Sequence, residues 1–183
     1  QSDGIRITAG AKNNRVGGDA TGGNSPTNGV FVRPPQGNLV SGNGGDGVRI
    51  DGGSRDNLLM GNFIGTDSAG TAAIGNDGDG VLIMEANNNG LIGTTFNQDP
   101  FVFYNVVSGN GGNGLRVNSS NDTTIHANFF GLGSDNATIV ANGGNGALIE
   151  GRSRNTQYGG VIPLGNVNSG NRGNGIEVRD RAR

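Results

Sequence analysis

One eight-residue pattern recurs five times, and its spacing restricts the chain to a repeat architecture. The pattern is Asn-x-Gly-(Asp/Asn)-Gly-apolar-x-(Ile/Val). Its copies begin at Asn43, Asn76, Asn110, Asn142 and Asn171 and close on Ile50, Ile83, Val117, Ile149 and Val178. The intervals are 33, 34, 32 and 29 residues. Asp3, Gly4, Ile5 and Ile7 form the tail of an earlier copy. Self-similarity at such a period marks an array of stacked units. Within each copy, glycine and Asn/Asp supply corners with positive φ. The apolar-x-apolar triplet that follows is a short strand with two side chains on one face. Helices are excluded by the 38 glycines, each costing about 1 kcal/mol in a helix interior.

A second strand is expected within each unit, over residues 57–65 and again over 124–131. A third is suggested by residues 72–74 and 137–140. Three short strands separated by Gly/Asn corners make one coil of a parallel β-helix. The expected architecture is therefore all-β: one solenoid domain over residues 1–183, with about six coils. The units run about 3–45, 46–78, 79–112, 113–144, 145–173 and 174–183. A longer first unit holds an inserted loop at about 21–35, marked by Pro26, Pro34 and Pro35. Units alternate in kind. One kind carries Ser-Gly-Asn, as in Leu39-Val40-Ser41-Gly42-Asn43, Val106-Val107-Ser108-Gly109-Asn110 and Val167-Asn168-Ser169-Gly170-Asn171. The other carries Asn-Phe-(Ile/Phe)-Gly and an aspartate, from Asn62 to Asp67 and from Asn128 to Asp135.

These segments resemble the right-handed parallel β-helix repeat proteins of bacteria, in which Ser-Gly-Asn, Gly-Val-x-Ile and Asn-x-Ile-Gly-Thr-Asp segments recur along secreted or surface chains. The resemblance covers residues 3–180. It implies a single-stranded, right-handed coil and an extracellular or cell-surface setting. It leaves function open, because the fold hosts structural rods, adhesins, tailspikes and polysaccharide lyases and epimerases. The expected role is a structural module that stacks head-to-tail or belongs to a longer rod. The alternative is a carbohydrate-binding or polysaccharide-cleaving β-helix.

Stacking in register predicts ladders. Val48, Val81, Leu115, Ala147 and Ile176 form one inner apolar ladder, and Ile50, Ile83, Val117, Ile149 and Val178 its neighbour. Asn43, Asn76, Asn110, Asn142 and Asn171 stack at one corner, where amides satisfy one another and the turn backbone. A net charge of −2 gives no bulk attraction to nucleic acid or anionic lipid. No apolar run approaches the length of a membrane span. Cysteine is absent, so disulfides and thiolate metal sites are excluded.

Catalytic signatures are sparse. His126, the single histidine, is expected to face solvent from a strand. Asp46 and Asp79 occupy equivalent positions on consecutive coils, about 5 Å apart, and a bridging Ca²⁺ is the one cofactor this pattern admits. Turn formation is the simpler account, because Asn113, Asn145 and Asn174 fill the same position. Asp67 and Asp135 are two coils apart, roughly 10 Å, which is wide for a glycosidase pair. Arg49 and Arg116 point outward and could meet an acidic glycan. Phe96, Phe101, Phe103 and Tyr104 gather in one loop. No acid/base pair emerges, so no catalytic residue is assigned. The partner predicted instead is a second copy of the chain, with surface glycans as a further possibility. The N-terminal edge strand (Ile5, Arg6, Ile7) and the C-terminal one (Ile176, Glu177, Val178) both read as ordinary internal strands. Docked end to end, they would continue the sheets and bring Glu177 near Arg6.

Overall fold

The structure is a computed structural model, and it describes residues 2–18, 37–95, 102–160 and 165–183. The inserted loop expected at 21–35 lies outside them, as do Phe96, Phe101 and the side chain of Phe103. The described residues hold no helix. Sixteen short strands form three parallel sheets. The first contains β1 (Ile5–Ile7), β4 (Val48–Ile50), β7 (Val81–Met84), β12 (Leu115–Asn118), β15 (Ala147–Glu150) and β18 (Ile176–Val178). The second contains β2 (Arg15–Gly17), β5 (Leu58–Met60), β8 (Gly90–Ile92), β13 (Thr124–His126) and β16 (Gln157–Tyr158). The third contains β3 (Leu39–Val40), β6 (Phe63–Ile64), β11 (Asn105–Val107), β14 (Asn128–Phe130) and β17 (Val167–Asn168). A small antiparallel hairpin, β9 (Thr94–Thr95) with β10 (Val102–Phe103), stands apart.

Each coil contributes one strand to each sheet, which is a parallel β-helix. The register of the first sheet is the one the repeat predicts. Ile5 pairs with Val48, Val48 with Val81, Val81 with Leu115, Leu115 with Ala147 and Ala147 with Ile176. The interior is one apolar column. Val48, Ile50, Val81, Ile83, Leu115 and Val117 fill it from the first sheet, Leu59, Leu91 and Ile125 from the second, and Ile64, Val107 and Phe130 from the third, all fully buried. Burying each such side chain contributes about 1.5–3 kcal/mol. Glycine corners keep the column narrow. A Cβ on Gly47 would meet Gly80 O at 2.6 Å and Ile64 Cγ2 at 2.6 Å.

The third strand is not where the sequence places it. Residues 72–74 and 137–140 are not coil strands. They are the return arms of two detours that leave the coil after β6 and β14. Thr66 bridges Ala73 and Leu132 bridges Ile139, both antiparallel, and Ile74 and Ile139 are exposed. The true third strand lies within the segment read as the second: residues 57–65 bend at Gly61 (φ 63°) into β5 and β6. Residues 124–131 bend at Ala127 (φ 53°) into β13 and β14.

These detours explain the two kinds of unit. Coils with a detour between the third and first sheets pass almost directly from the second sheet to the third. The neighbouring coils turn tightly through Ser-Gly-Asn and carry their extra residues at the other corner, between β8 and β11 and between β16 and β17. A coil rises about 4.8 Å, whereas a layer of folded-back chain occupies about 10 Å. A detour on every coil at one corner would collide with the next, so detours occupy alternate coils. The two that are described touch each other across the intervening coil: Ser134 donates its N–H to Gly70 O at 2.9 Å and its hydroxyl to Ala69 O at 2.7 Å. Gly109 lies between them at φ 77°, and a Cβ there would meet Gly65 O at 2.7 Å and Ala73 Cβ at 2.9 Å.

Candidate functional site

The most highly organised polar feature is a set of ladders at the corners. Asn43, Asn76, Asn110, Asn142 and Asn171 form the predicted one. Each Nδ2 donates to Oδ1 of the next, at 2.7, 2.9, 3.0 and 2.9 Å. The second amide hydrogen goes to a strand carbonyl: Val40 for Asn76, Ile64 for Asn110, Val107 for Asn142 and Phe130 for Asn171. The backbone N–H groups of Asn43 and Asn110 donate to the following Oδ1, both at 3.1 Å. Asn76, Asn110 and Asn142 are buried, and stacking leaves no amide donor among them unpaired.

A second ladder of the same design was not anticipated. Asn38, Asn62, Asn105, Asn128 and Asn166 stack before the third sheet, with Nδ2 to Oδ1 distances of 3.1, 3.3, 2.8 and 2.9 Å. A shorter third one, Asn14 to Asn57 to Asn89, precedes the second sheet. The sequence hid the second because its members are 24, 43, 23 and 38 residues apart. The detours fall alternately inside and outside those intervals.

Asp46 and Asp79, the calcium candidates, belong to a further ladder: Asp3, Asp46, Asp79, Asn113, Asn145 and Asn174. Here Oδ1 of each residue accepts the backbone N–H of its equivalent on the following coil, at 2.9, 2.9, 2.7, 2.9 and 2.7 Å. Burial pushes both the Asp46 and Asp79 carboxyls above the usual carboxylate range, helped by the next acid along the ladder. Among the described residues no three His, Cys, Asp or Glu side chains converge as a metal site would require. The geometry gives these carboxylates a corner-forming task.

The outer face of the first sheet carries the arginines considered as glycan contacts. Arg49 donates to Asp51 at 2.7 Å and reaches Asp46 at 3.5 Å, while Arg6 reaches Asp51 from the adjacent coil at 2.9 Å. Burial alone would raise the Asp51 carboxyl, but hydrogen bonds from Arg49, Thr8 and Arg6 outweigh it and hold the pKa at about 2. Glu150 likewise holds Arg116 at 2.5 Å and Arg179 at 2.6 Å, and its carboxyl is lowered against the opposing push of burial. Leu82 and Leu148 point outward on this face yet are only 5% exposed. In register they alternate with the arginines, as Arg49, Leu82, Arg116, Leu148 and Glu177, whose aliphatic stems can cover them. Arg49 and Arg116 are thus engaged within the face.

Asp67 and Asp135 tie the detour turns. Asp67 Oδ1 accepts from the N–H groups of Thr71 and Ala72. Asp135 accepts from the N–H groups of Ala137 and Thr138 and from the Thr138 hydroxyl. Both carboxyls are lowered by these bonds, chiefly from Thr71 in one and the Thr138 hydroxyl in the other. The neighbouring Ile125 points into the core, and His126 is half-buried on its strand. It lines an open groove of about 350 Å³ with Asp56, Leu58 and Ile92, and burial lowers its pKa. Tyr104 stacks on Phe129 with ring centroids 4.1 Å apart, so this member of the aromatic cluster packs against the side of the coil.

The edge strands differ from each other. At β1, Ile7 is buried, Ile5 half-buried and Arg6 exposed. At β18, Ile176 is 43% and Val178 56% exposed. Glu177 accepts from Asn145 Nδ2 at 2.9 Å and lies 3.7 Å from Arg179. Both residues expected to meet across a stacked junction, Arg6 and Glu177, therefore already have partners within the chain.

No family model matches the chain, and no curated protein or solved structure matches it. The functional reading therefore rests on the geometry and on the repeat segments themselves.

Proposed function

We propose that this chain is a structural rod segment whose edges accept further coils of the same pattern, from a continuing chain or from a second copy stacked head-to-tail. The observation that carries this reading is the β18 edge. The positions of Ile176 and Val178 are buried on the four preceding coils, and at β18 they are open. Among the described residues strand β18 pairs with β15 alone, which leaves its other side as an open edge, and such an edge is a template for another strand. A contact of this kind between copies is heterologous and propagates into a filament. The extracellular or surface setting is proposed from the family resemblance.

The test is sedimentation of the purified protein across a concentration series, with negative-stain microscopy of the same samples. The wild type is expected to associate with rising concentration and to form filaments. Ile176→Lys, which places a charge on the open edge without touching a buried site, is expected to stay monomeric. A wild type that remains monomeric at high concentration, with no filaments, overturns stacking between copies.

A further inference from the structure

We propose that the corner preceding the second sheet, on the last two coils, is a binding site for an acidic oligosaccharide bearing sulfate or carboxylate groups. The inference does not rest on the rod reading, since it concerns charged side chains exposed at one corner of the last two coils.

The site is a two-by-two grid of arginines. Arg181 donates its N–H to Gly151 O at 3.0 Å, which puts Arg181 in register with Arg152. Arg183 donates to Ser153 O and its own carbonyl accepts from Asn155, both at 2.9 Å, which puts Arg183 in register with Arg154. All four side chains are exposed, and they flank buried Ser153 and half-buried Ala182. Together with Ala182 they line an open concavity of about 550 Å³. Members of a pair are separated by one coil rise, about 4.8 Å.

Five other arginines are neutralised locally. Arg6 and Arg49 share Asp51, Arg116 and Arg179 share Glu150, and Arg55 holds Asp56. The corner ladder Asn13, Asp56, Asn88, Asp122 and Asn155, all at positive φ, alternates amide with carboxylate so that no two charges are adjacent. The arginine grid has neither arrangement. Like charges face each other directly across coils, which is unfavourable, and none of the four is in an ion pair with a described residue. Two neighbouring carboxylates are hydrogen-bonded elsewhere: Asp180 accepts from Gly151 N–H at 3.3 Å and Asp122 from the Asn155 amide at 3.1 Å.

Four guanidinium forks on a rigid grid suit several oxyanions held at fixed spacing. Among the described residues no aromatic side chain lines the concavity, so they supply no platform on which single-stranded nucleic acid would stack. The chain's net charge of −2 supplies no long-range pull on a long polyanion. A short acidic glycan meets these limits.

The test is calorimetric titration at low salt with a heparin-type sulfated oligosaccharide, its desulfated counterpart, inorganic phosphate and a single-stranded oligonucleotide. The sulfated sugar is expected to bind and the desulfated one not, with affinity falling as salt rises. Arg152→Gln with Arg154→Gln is expected to weaken binding at least about tenfold, while Arg55→Gln, on another coil, leaves it unchanged. Because the grid is exposed and repulsive, the double variant should melt no lower than the wild type, so its loss of binding is not a loss of fold. Absence of binding, binding retained in the double variant, an oligonucleotide bound as tightly as the sugar, or phosphate alone bound as tightly as the sugar would each overturn the proposal.

Discussion

Two ladders run along the same corner three residues apart, and they use side-chain oxygens in opposite directions. In the ladder from Asn43 to Asn171, Oδ1 takes hydrogens from the preceding coil, while Nδ2 donates onward to the next Oδ1 and back to a strand carbonyl. In the ladder from Asp3 to Asn174, Oδ1 takes one backbone N–H from the following coil. The first needs a side chain that accepts and donates, and a carboxylate has no donor. The second needs only an acceptor, which aspartate and asparagine supply equally. Hydrogen-bond direction thus explains why the first ladder is asparagine on every coil, whereas the second begins as three aspartates and ends as three asparagines.

The sharpest way to break this contrast is Asn110→Asp, an almost isosteric change in the two-way ladder. The new carboxylate would face Asn142 Oδ1 and Ile64 O, two acceptors to which it has no hydrogen to donate, in a buried setting. The expected cost is about 3–5 kcal/mol, that of an uncompensated buried charge. Asn110→Ala, which leaves unpaired groups but no charge, should cost about 1–3 kcal/mol. Urea unfolding of both variants decides the matter. An aspartate no worse than the alanine would show that donation is not essential here.

The first ladder was legible in the sequence because each interval between octets holds one excursion of similar size, either a detour after the third sheet or the extra residues between the second and third sheets. Every interval stayed near one coil length, so the register of the first sheet could be read off Val48, Val81 and Leu115. The second ladder obeys the same physics but was illegible, since the same detours make its intervals alternate between short and long. The apolar residues at 72–74 and 137–140 misled for a related reason. Ile74 and Ile139 look like strand residues, yet they are exposed on the detours. Their presence on only every second coil was the available signal. The arginine grid was missed because its pairs, Arg152 with Arg181 and Arg154 with Arg183, become neighbours only once the corner register is known.

A milder challenge is Asn113→Asp in the one-way ladder. Its oxygen would still accept the N–H of Asn145, so the backbone contact survives. What changes is the loss of the amide donated to Asp79 and the placement of a carboxylate oxygen where that nitrogen now lies, 2.8 Å from Asp79 Oδ1. The expected cost is about 1–2 kcal/mol at neutral pH, well below that of Asn110→Asp. Added salt should reduce it, because this corner is only partly buried. A cost as large as that at Asn110 would erase the distinction between the two ladders.

The smallest expected effect has the opposite sign. Asp79→Asn keeps the acceptor for the N–H of Asn113 and removes a carboxylate that burial and the neighbouring Asp46 disfavour. At neutral pH a gain below about 1 kcal/mol is expected, since relief of repulsion and desolvation is partly offset by a weaker, uncharged acceptor. The pH dependence identifies the cause. A carboxyl raised in the folded state binds its proton more tightly there than in the unfolded chain. Its ionisation therefore costs stability as pH rises from the ordinary carboxylate value through the raised one. Asp51 and Glu150, both lowered, act the other way: their contribution is present above the ordinary value and is lost as pH falls, for Asp51 toward about 2. Those terms are common to both proteins and cancel in the difference. Wild type and Asp79→Asn should accordingly be equally stable in acid, where the carboxyl is protonated in both states, and should diverge as pH rises above it. Thermal melts at matched pH values measure this difference directly, and a gain that is the same in acid as at neutral pH would mean that charge is not what distinguishes aspartate from asparagine in the one-way ladder.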